Sequence, residues 1–323
     1  MTETRAASIG SDRAISLFLK IGTAVLVIGL VAFGVFYYKD QHLPAAPSLL
    51  SQSISQAEAA VRKTPNNVNA RMQLGAAYQA AGRYADSMAQ FDQVLKVSPG
   101  NKAALLGKGY AQLTSGDLAG ATKTYSVITA ADRSGEFAPE DTQLASAYYY
   151  LGVIDVKQHQ PQVALDQLAG ALKIDATDSD ALYQVVLAQL QLGRTAEAVK
   201  SFHQALTFVP TDWCDPYQQL QKAYVTLGQK DEAAYAGAMV TFCQKNPTEA
   251  ATELKTLTDG PAAADAMNGL GLIAQTQNDN KGAIAWFQKV VAKDPKNATA
   301  LNALASFGVK PATTPTTNPT KKS

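Results

Sequence analysis

The sequence repeats itself, and this self-similarity restricts the fold more than any other feature. The clearest unit spans residues 69–101 and reads NARMQLGAAYQAAGRYADSMAQFDQVLKVSPGN. Small residues recur 34 positions apart, as Ser87 and Ala121 do, and as Ala164 and Ala198 do. A unit of this length cannot bury an apolar face alone, so such units stack on their neighbours. The sequence therefore predicts an all-α stack of helix-turn-helix units.

These units resemble tetratricopeptide repeats. In the first unit the family's consensus types fall on Leu74, Gly75, Tyr78, Ser87, Phe91 and Pro99. The pattern returns five times, with Leu106, Gly107, Tyr110, Ala121 and Tyr125; Leu151, Gly152, Ala164, Leu168 and Ala171; Gly193, Ala198, Phe202, Ala205 and Pro210; Leu220, Tyr224, Gly228 and Ala233; and Leu270, Gly271, Ala283, Phe287 and Pro295. The fifth unit has Gly237 where an aromatic residue is expected. The resemblance covers roughly residues 66–297 and implies a right-handed superhelical solenoid of about six repeats.

Two insertions interrupt the period. The first contains the polar segment AADRSGEFAPEDT, and the second predicts an additional short helix over residues 248–257. Both are expected to be surface excursions between repeats. Residues 51–63 and 298–307 predict capping helices at the two ends of the stack.

An apolar segment near the N-terminus predicts one transmembrane helix, residues 21–38, which carries no charged residue. At ~1.5 Å per residue it covers about 27 Å, close to the thickness of a bilayer's hydrocarbon core. A cleaved signal peptide ending near Ala45 and Ala46, or a buried core helix, are the alternatives. The predicted division is a segment 1–20, the span 21–38, a linker with capping helix 39–65, the solenoid 66–307, and a disordered Pro/Thr-rich tail 308–323.

Charges around the predicted span indicate its orientation. Arg5, Arg13 and Lys20 precede the span, whereas Lys39 alone follows it closely. The positive-inside rule places the N-terminus in the cytoplasm and the repeats on the extracytoplasmic side of the membrane.

Composition argues against several functional classes. Beyond residue 40 the chain has 28 − 4 = 24 basic and 27 − 3 = 24 acidic residues, so nucleic acid is not an expected partner. Two Cys and three His residues stand at no metal-ligand spacing, and no metal or cofactor is expected. Phosphate loops and nucleophile elbows are missing from the sequence, and His159 and His203 are interpreted as surface residues. The chain is predicted not to be an enzyme.

In tetratricopeptide repeats the first helices of successive units line a concave groove, and the repeat register identifies the residues that face it. Tyr149 and Tyr183 share one register a repeat apart, and their amphipathic rings suit a bound peptide or helix. Packing between neighbouring helices is the alternative role for both rings. The terminal-carboxylate clamp of some family members is not reproduced at Met72, Ala104 and Lys108. The predicted groove consists of Asn69, Met72, Gln79, Tyr149, Val153, Val156, Tyr183, Leu187 and Leu190.

The only two cysteines, Cys214 and Cys243, stand at the two ends of the fifth unit. The ends of an antiparallel helix pair lie side by side, so a disulfide between them is predicted. The alternative is two reduced, buried thiols. A disulfide closing a loop of about 30 residues would add a few kcal/mol outside the cytoplasm.

Together these features predict a membrane-anchored scaffold or co-chaperone that binds protein partners in its groove. Its layout is similar to that of anchored bacterial repeat proteins that accompany the secretion translocon or present apocytochromes for haem attachment. A structural assembly factor of an envelope machine such as a pilus is the second hypothesis. An unidentified type of enzyme is the third.

Overall fold

A computed structural model describes residue 33 and residues 48–131, 141–208 and 213–310. The predicted span 21–38, apart from residue 33, and most of the first insertion lie outside the described residues, as does the tail beyond residue 310. The described part contains no strand, and fifteen helices have their bounds there. They are α1 (Leu49–Lys63), α2 (Val68–Ala80), α3 (Tyr84–Val97), α4 (Lys102–Thr114), α5 (Leu118–Ala131), α6 (Thr142–Lys157), α7 (Pro161–Ile174), α8 (Ser179–Gln191), α9 (Thr195–Phe208), α10 (Cys214–Thr226), α11 (Lys230–Cys243), α12 (Pro247–Lys255), α13 (Ala263–Thr276), α14 (Asn280–Lys293) and α15 (Ala298–Ser306).

The chain divides into two units, Met1–Gln56 and Ala57–Ser323. In the second unit, six helix pairs follow one another: α2/α3, α4/α5, α6/α7, α8/α9, α10/α11 and α13/α14. The predicted all-α stack is therefore confirmed. Within the described ranges no helix has the length and apolar character needed to cross a membrane.

Side-chain caps fix where the first helix of most pairs begins. Asn67 accepts a hydrogen bond from the backbone N–H of Ala70, and Asn101 does the same for Ala104. Such caps satisfy amide donors that have no partner inside the helix. Asp141 and Asp178 play the same part in the third and fourth pairs. The fifth pair begins at Trp213, which makes no side-chain cap, in keeping with its weaker match to the repeat pattern.

The turn inside each pair needs one residue in the left-handed region of φ. Gly82 supplies it in the first pair, with φ of 71°, and glycine does so in three others. A glycine tolerates this conformation because it has no Cβ. In the third and sixth pairs the same place is held by His159 and Asn278, with φ of 56° and 61°.

Close contacts between a glycine and a large side chain join the two helices of a pair. A Cβ built on Gly75 would lie 2.8 Å from the ring of Phe91, and one on Gly271 would lie 2.6 Å from Phe287. Both rings are buried. The glycines therefore let each aromatic side chain reach the backbone of the facing helix.

The structure corrects the predicted register of the second pair. Gly109 lies 34 residues after Gly75 and faces Tyr125, at 2.6 Å from a built Cβ. Gly107, which was assigned this position, instead contacts Phe91 of the preceding pair at 2.5 Å. Tyr110 consequently points outward and is 40% exposed. The Leu106, Gly107 and Tyr110 match to the consensus favoured the wrong glycine, although the 34-residue period of the sequence and the packing both select Gly109.

The second insertion is not a surface excursion. It forms α12, whose Ala250 and Leu254 are completely buried. Leu254 packs with Met239 of α11 against Gly269 of α13. The fifth pair lacks an aromatic residue at Gly237, where the side chain of Gln221 lies instead, and the buried Met239 and Leu254 fill the space beside Gly269. This helix thus belongs to the core between the fifth and sixth pairs.

Candidate functional site

The predicted groove residues differ in how much of each remains accessible. Asn69 is exposed, and Val156 is buried. The others are half-buried: Met72, Gln79, Val153, Tyr149, Tyr183, Leu187 and Leu190. Tyr149, Val156 and Leu187 pack on one hydrophobic cluster, Tyr183 and Leu190 on a second, and Met72 on a third. The structure therefore brings only part of the predicted set together at any one place.

Tyr149 belongs to a group of four tyrosines from α4, α5 and α6. Its ring meets that of Tyr150 edge-on with centroids 5.1 Å apart, and Tyr150 stacks on Tyr125 at the same separation. Tyr110 completes the group by contacting Tyr150 edge-on at 6.1 Å. Tyr125 is fully buried, whereas Tyr110 is partly open to solvent. The group thus extends from the core to the surface, and Tyr149 is held rigidly at one side of it.

Tyr183 has an equivalent setting one pair later. Its ring contacts Trp213 edge-on at 4.8 Å and lies 6.2 Å from the ring of Phe202. The neighbouring aromatic side chains restrict the rotamer of Tyr183 while leaving the residue half-buried. Both groove tyrosines therefore pack within the fold and keep an accessible face.

A carboxylate from the following pair accompanies each groove tyrosine. Burial, and then the nearby charge of Asp180, raise the pKa of Tyr149. Burial, and then Asp215, raise the pKa of Tyr183 in the same way. Asp180 and Asp215 both stand near the start of a first helix, and partial burial also raises the pKa of Asp180. This part of the groove is consequently aromatic and acidic.

Two predicted groove residues also stabilise the stack. The amide of Gln79 donates a hydrogen bond to the carbonyl of Gly107, which links α2 to α4. The carbonyl of Val156 accepts a 3.0 Å hydrogen bond from the side chain of Gln191 and so links α6 to α8. The side-chain nitrogen of Gln79 and the carbonyl of Val156 thus have partners inside the stack, which leaves the tyrosines as the better candidates for partner contacts.

A polar cavity of about 530 Å³ lies between the end of α9, the start of α13 and the turn before α15. Its walls include His203, Asp265 and Asn268. His203 Nε2 lies 2.6 Å from the hydroxyl of Tyr224, and its Nδ1 lies 3.8 Å from Asp265 Oδ1. Burial raises the pKa of Asp265, while His203 acts in the opposite direction.

Sequence reasoning missed this cavity; it interpreted His203 as a surface residue, and the side chain is 39% exposed while it lines the cavity and hydrogen-bonds to Tyr224. Asp265 and Asn268 stand six and three residues before Gly271, the same offsets that Asp180 and Tyr183 have from Val186. They are therefore the groove register of the sixth pair. Asn268, a lone amide within the apolar run of α13, was the available signal.

A second cavity, of about 510 Å³, opens where the fifth pair lacks its aromatic residue. Gly237 and Ala238 of α11 form one wall, and Thr252 and Thr256 lie on the side of α12. The cavity therefore lies between the helix that lacks the aromatic ring, α11, and the inserted helix α12.

The two cysteines approach the same buried side chain. Burial raises the pKa of Tyr217, and Cys243 and Cys214 add smaller contributions in the same direction. Both cysteines therefore lie near one end of the α10/α11 pair. The disulfide between them stays a prediction.

Within the described ranges, no three His, Cys, Asp or Glu residues are placed to hold a metal ion. Exposed His159 lies in the left-handed turn between α6 and α7. It fills the place that glycine holds in other pairs.

Comparison with known families identifies the repeats. Residues 72–136, 242–298 and 180–211 match profiles described as tetratricopeptide repeat. The predicted repeats are thus confirmed, and repeats of this kind are typical of non-enzymatic scaffolds. No curated protein matches the chain.

Several solved structures of low sequence identity align with parts of the chain. A tetratricopeptide repeat protein from Parabacteroides merdae is 15% identical, with 84% of this chain and 94% of that chain covered and a TM-score of 0.47. MamA from Desulfovibrio magneticus is 16% identical, with 55% and 95% covered and a TM-score of 0.48. YrrB, described as having an unusual peptide-binding site, is 18% identical, with 62% and 97% covered and a TM-score of 0.45. These likenesses assign no partner to the present chain.

Proposed function

We propose that this chain, which carries tetratricopeptide repeats, is a membrane-anchored scaffold or co-chaperone that holds an extended or helical segment of another protein. The segment lies against the face that carries Tyr149 and Tyr183. The scaffold serves the assembly or secretion of extracytoplasmic proteins, in the manner of factors for cytochrome c maturation or translocon-associated folding. Catalysis has no part in this role.

One observation carries the proposal. Tyr149 and Tyr183 are half-buried, share one register and have rings fixed by aromatic neighbours. Rigid, amphipathic rings contribute contact area at a small cost in side-chain entropy, which is why tyrosine is common in protein-binding sites. A carboxylate beside each ring, Asp180 and Asp215, favours a segment that carries basic residues.

The membrane anchor and its orientation are part of the proposal. The uncharged stretch 21–38 and the charges before it, Arg5, Arg13 and Lys20, support a span with the repeats on the extracytoplasmic side. In spheroplasts of the source cell, externally added protease should digest the repeats while an N-terminal tag stays protected. Digestion of the tag while the repeats stay protected would show the opposite orientation. Recovery of the chain in the soluble fraction would contradict the membrane anchor.

Photo-crosslinking tests the groove directly. A photoreactive phenylalanine analogue replaces Tyr149 or Tyr183 in intact cells. Val163 is the control position, because it is 45% exposed but belongs to α7, the second helix of its pair, and not to a groove-lining first helix. Both groove positions should give adducts with the same protein, and the control position should not. Adducts from position 163 without adducts from either groove position would contradict the proposal and favour a structural assembly role for the other face.

A further inference from the structure

We propose that the polar cavity between α9, α13 and the turn before α15 binds the guanidinium group of an arginine side chain presented by a partner protein. The cavity measures about 530 Å³, within the range of pockets that bind small organic groups. This inference does not rest on the groove proposed above, because it concerns other residues and is tested with a small molecule.

The carboxylate of Asp265 lacks the hydrogen bonds that such a position requires. Its side chain is only 25% exposed, and the nearest basic nitrogen is Nδ1 of His203 at 3.8 Å, which is beyond hydrogen-bond distance. No hydrogen bond to this carboxylate is formed by the residues that the structure describes. Partly buried carboxylates are normally paired or hydrogen-bonded, since desolvation penalises the charged form. Asp265 therefore offers two acceptor oxygens to an incoming donor.

Asn268 provides a second acceptor beside the first. The residue is 5% exposed, and its Nδ2 donates a 3.1 Å hydrogen bond to Oδ1 of Asn297. Asn297 Oδ1 is also the cap that accepts the N–H of Ala300, so Asn268 must turn its donor toward Asn297. Oδ1 of Asn268 is consequently left without a donor among the described residues.

The two acceptors face the same side of α13. Asp265 and Asn268 are three residues apart on one helix, a spacing that places side chains next to each other. Both residues line the cavity, and because Oδ1 of Asn268 is covered by the wall, an arginine side chain has to displace part of that wall to reach it. A planar guanidinium has five N–H donors in a fixed fork, so it can bind a carboxylate with two of them and still donate to a neighbouring amide oxygen.

The surrounding charges favour a cation. Asp294 lines the cavity. The negative charges of Glu232 and Asp294 raise the pKa of Asp265, as repulsion between carboxylates does. Lys296 is the opposing charge on the wall, and it is exposed. Phe208, at the end of α9, adds an apolar surface for the methylene groups of an arginine side chain. Asp265 and Asp294 on the wall, with Glu232 nearby, thus outnumber Lys296, and His203 adds a positive charge only when it is protonated.

The test uses the full-length chain in lipid nanodiscs, labelled with ¹⁵N, and N-acetyl-arginine N-methylamide as the probe. Saturable shifts of the Asn268 side-chain amide signal are expected. The citrulline analogue has nearly the same shape but no charge, and it should bind at least about tenfold more weakly because charge-assisted hydrogen bonds are lost. Equal affinities for the two probes, or no saturable shift, would overturn the proposal.

Two further probes define the ligand. The lysine analogue should bind more weakly than the arginine analogue because ammonium has no planar fork, and equal binding would overturn the guanidinium assignment. Free arginine should bind no more tightly than the blocked probe. Tighter binding of free arginine would indicate a site for the amino acid itself and would overturn the protein-borne ligand.

A charge-removing variant completes the experiment. Asp265→Asn keeps the side-chain shape and should lower the affinity for the arginine probe at least about tenfold. Asp166→Asn removes an exposed carboxylate from α7 and should leave the affinity unchanged. Unchanged affinity in Asp265→Asn contradicts the proposal. Thermal unfolding of each variant verifies its fold, and the comparison of arginine with citrulline decides the question if Asp265→Asn does not fold.

Discussion

Phe91 lies against the backbone of Gly75, so closely that a Cβ on the glycine would be 2.8 Å from the ring. The ring is 2% exposed, and the surrounding core gives it little room to move. The first helix pair therefore depends on the absence of one methyl group. The equivalent contact recurs between Gly271 and Phe287 in the sixth pair.

Gly75→Ala should destabilise the solenoid by about 1–3 kcal/mol, the usual cost of overpacking a filled core. Denaturant unfolding followed by circular dichroism measures the change. Gly100→Ala is the control, because no atom lies within 4 Å of a Cβ built there. Combining Gly75→Ala with Phe91→Leu should lose less stability than the sum of the two single changes. Strict additivity would show that the ring and the glycine do not interact.

His159→Gly should stabilise the protein by up to about 1.5 kcal/mol. The left-handed conformation costs a residue with a Cβ ~1–2 kcal/mol, and glycine's greater freedom in the unfolded chain offsets ~0.5–1 kcal/mol of the gain. The observed φ of 56° at this exposed residue motivates the change. Gln158→Gly, at a φ of −86°, should instead destabilise the chain. A loss of stability in His159→Gly equal to that in Gln158→Gly would refute this explanation of the turn.

The buried carboxyl group of Asp155 should make the stability of the protein depend on pH. Burial raises its pKa from 3.8 to about 6 in the folded state, so the fold favours the protonated carboxyl. The unfolded chain releases this proton at lower pH, and stability should therefore fall as pH rises from about 4 to about 6 and stay low above that. A shift of this size corresponds to at most about 3 kcal/mol.

Asp155→Asn keeps the side-chain shape without a charge, so it should be more stable than the wild type at pH 8 and nearly equal to it at pH 4. Urea unfolding at a series of pH values measures both effects. Asp166→Asn, at an exposed site, should keep the wild-type dependence. An unchanged slope between pH 4 and 6 in Asp155→Asn would show that another group is responsible.

The cysteine pair gives a prediction about redox state. If Cys214 and Cys243 form the predicted disulfide, alkylation of the unfolded chain without reductant should label neither residue, and prior reduction should expose both. Mass spectrometry of the alkylated protein gives the count directly. Labelling of both cysteines without reductant contradicts the disulfide and removes one argument for an extracytoplasmic location.

The repeats were predictable because their signals are local. Small residues at Ser87, Ala121, Ala164 and Ala198 mark the second helix in successive units. The capping helix predicted over residues 51–63 is also present, as Leu49–Lys63. The second pair was misaligned because Gly107 and Gly109 both fit the consensus. The 34-residue period favours Gly109, and the contacts of Gly107 with Phe91 and of Gly109 with Tyr125 establish that register.

The candidate sites were less predictable, since they join distant segments. Tyr149 and Tyr183 could be named from the repeat register alone, because equivalent positions of successive repeats lie at equivalent places in the solenoid. His203 and Asp265 are 62 residues apart in the chain, and the inserted helix α12 lies between them in the sequence. The polar cavity therefore has no signal in the repeat pattern beyond the isolated amide of Asn268.

The affinity for a segment of the crosslinked partner tests the central claim most directly. The segment captured at positions 149 and 183 is synthesised, and its dissociation constant is measured with the wild type and with Tyr149→Ala/Tyr183→Ala. Loss of two aromatic contacts should weaken binding by about tenfold to a hundredfold, while Val163→Ala should leave it unchanged. Equal affinities for the wild type and the double variant, with both proteins folded, would contradict a groove that binds through these tyrosines.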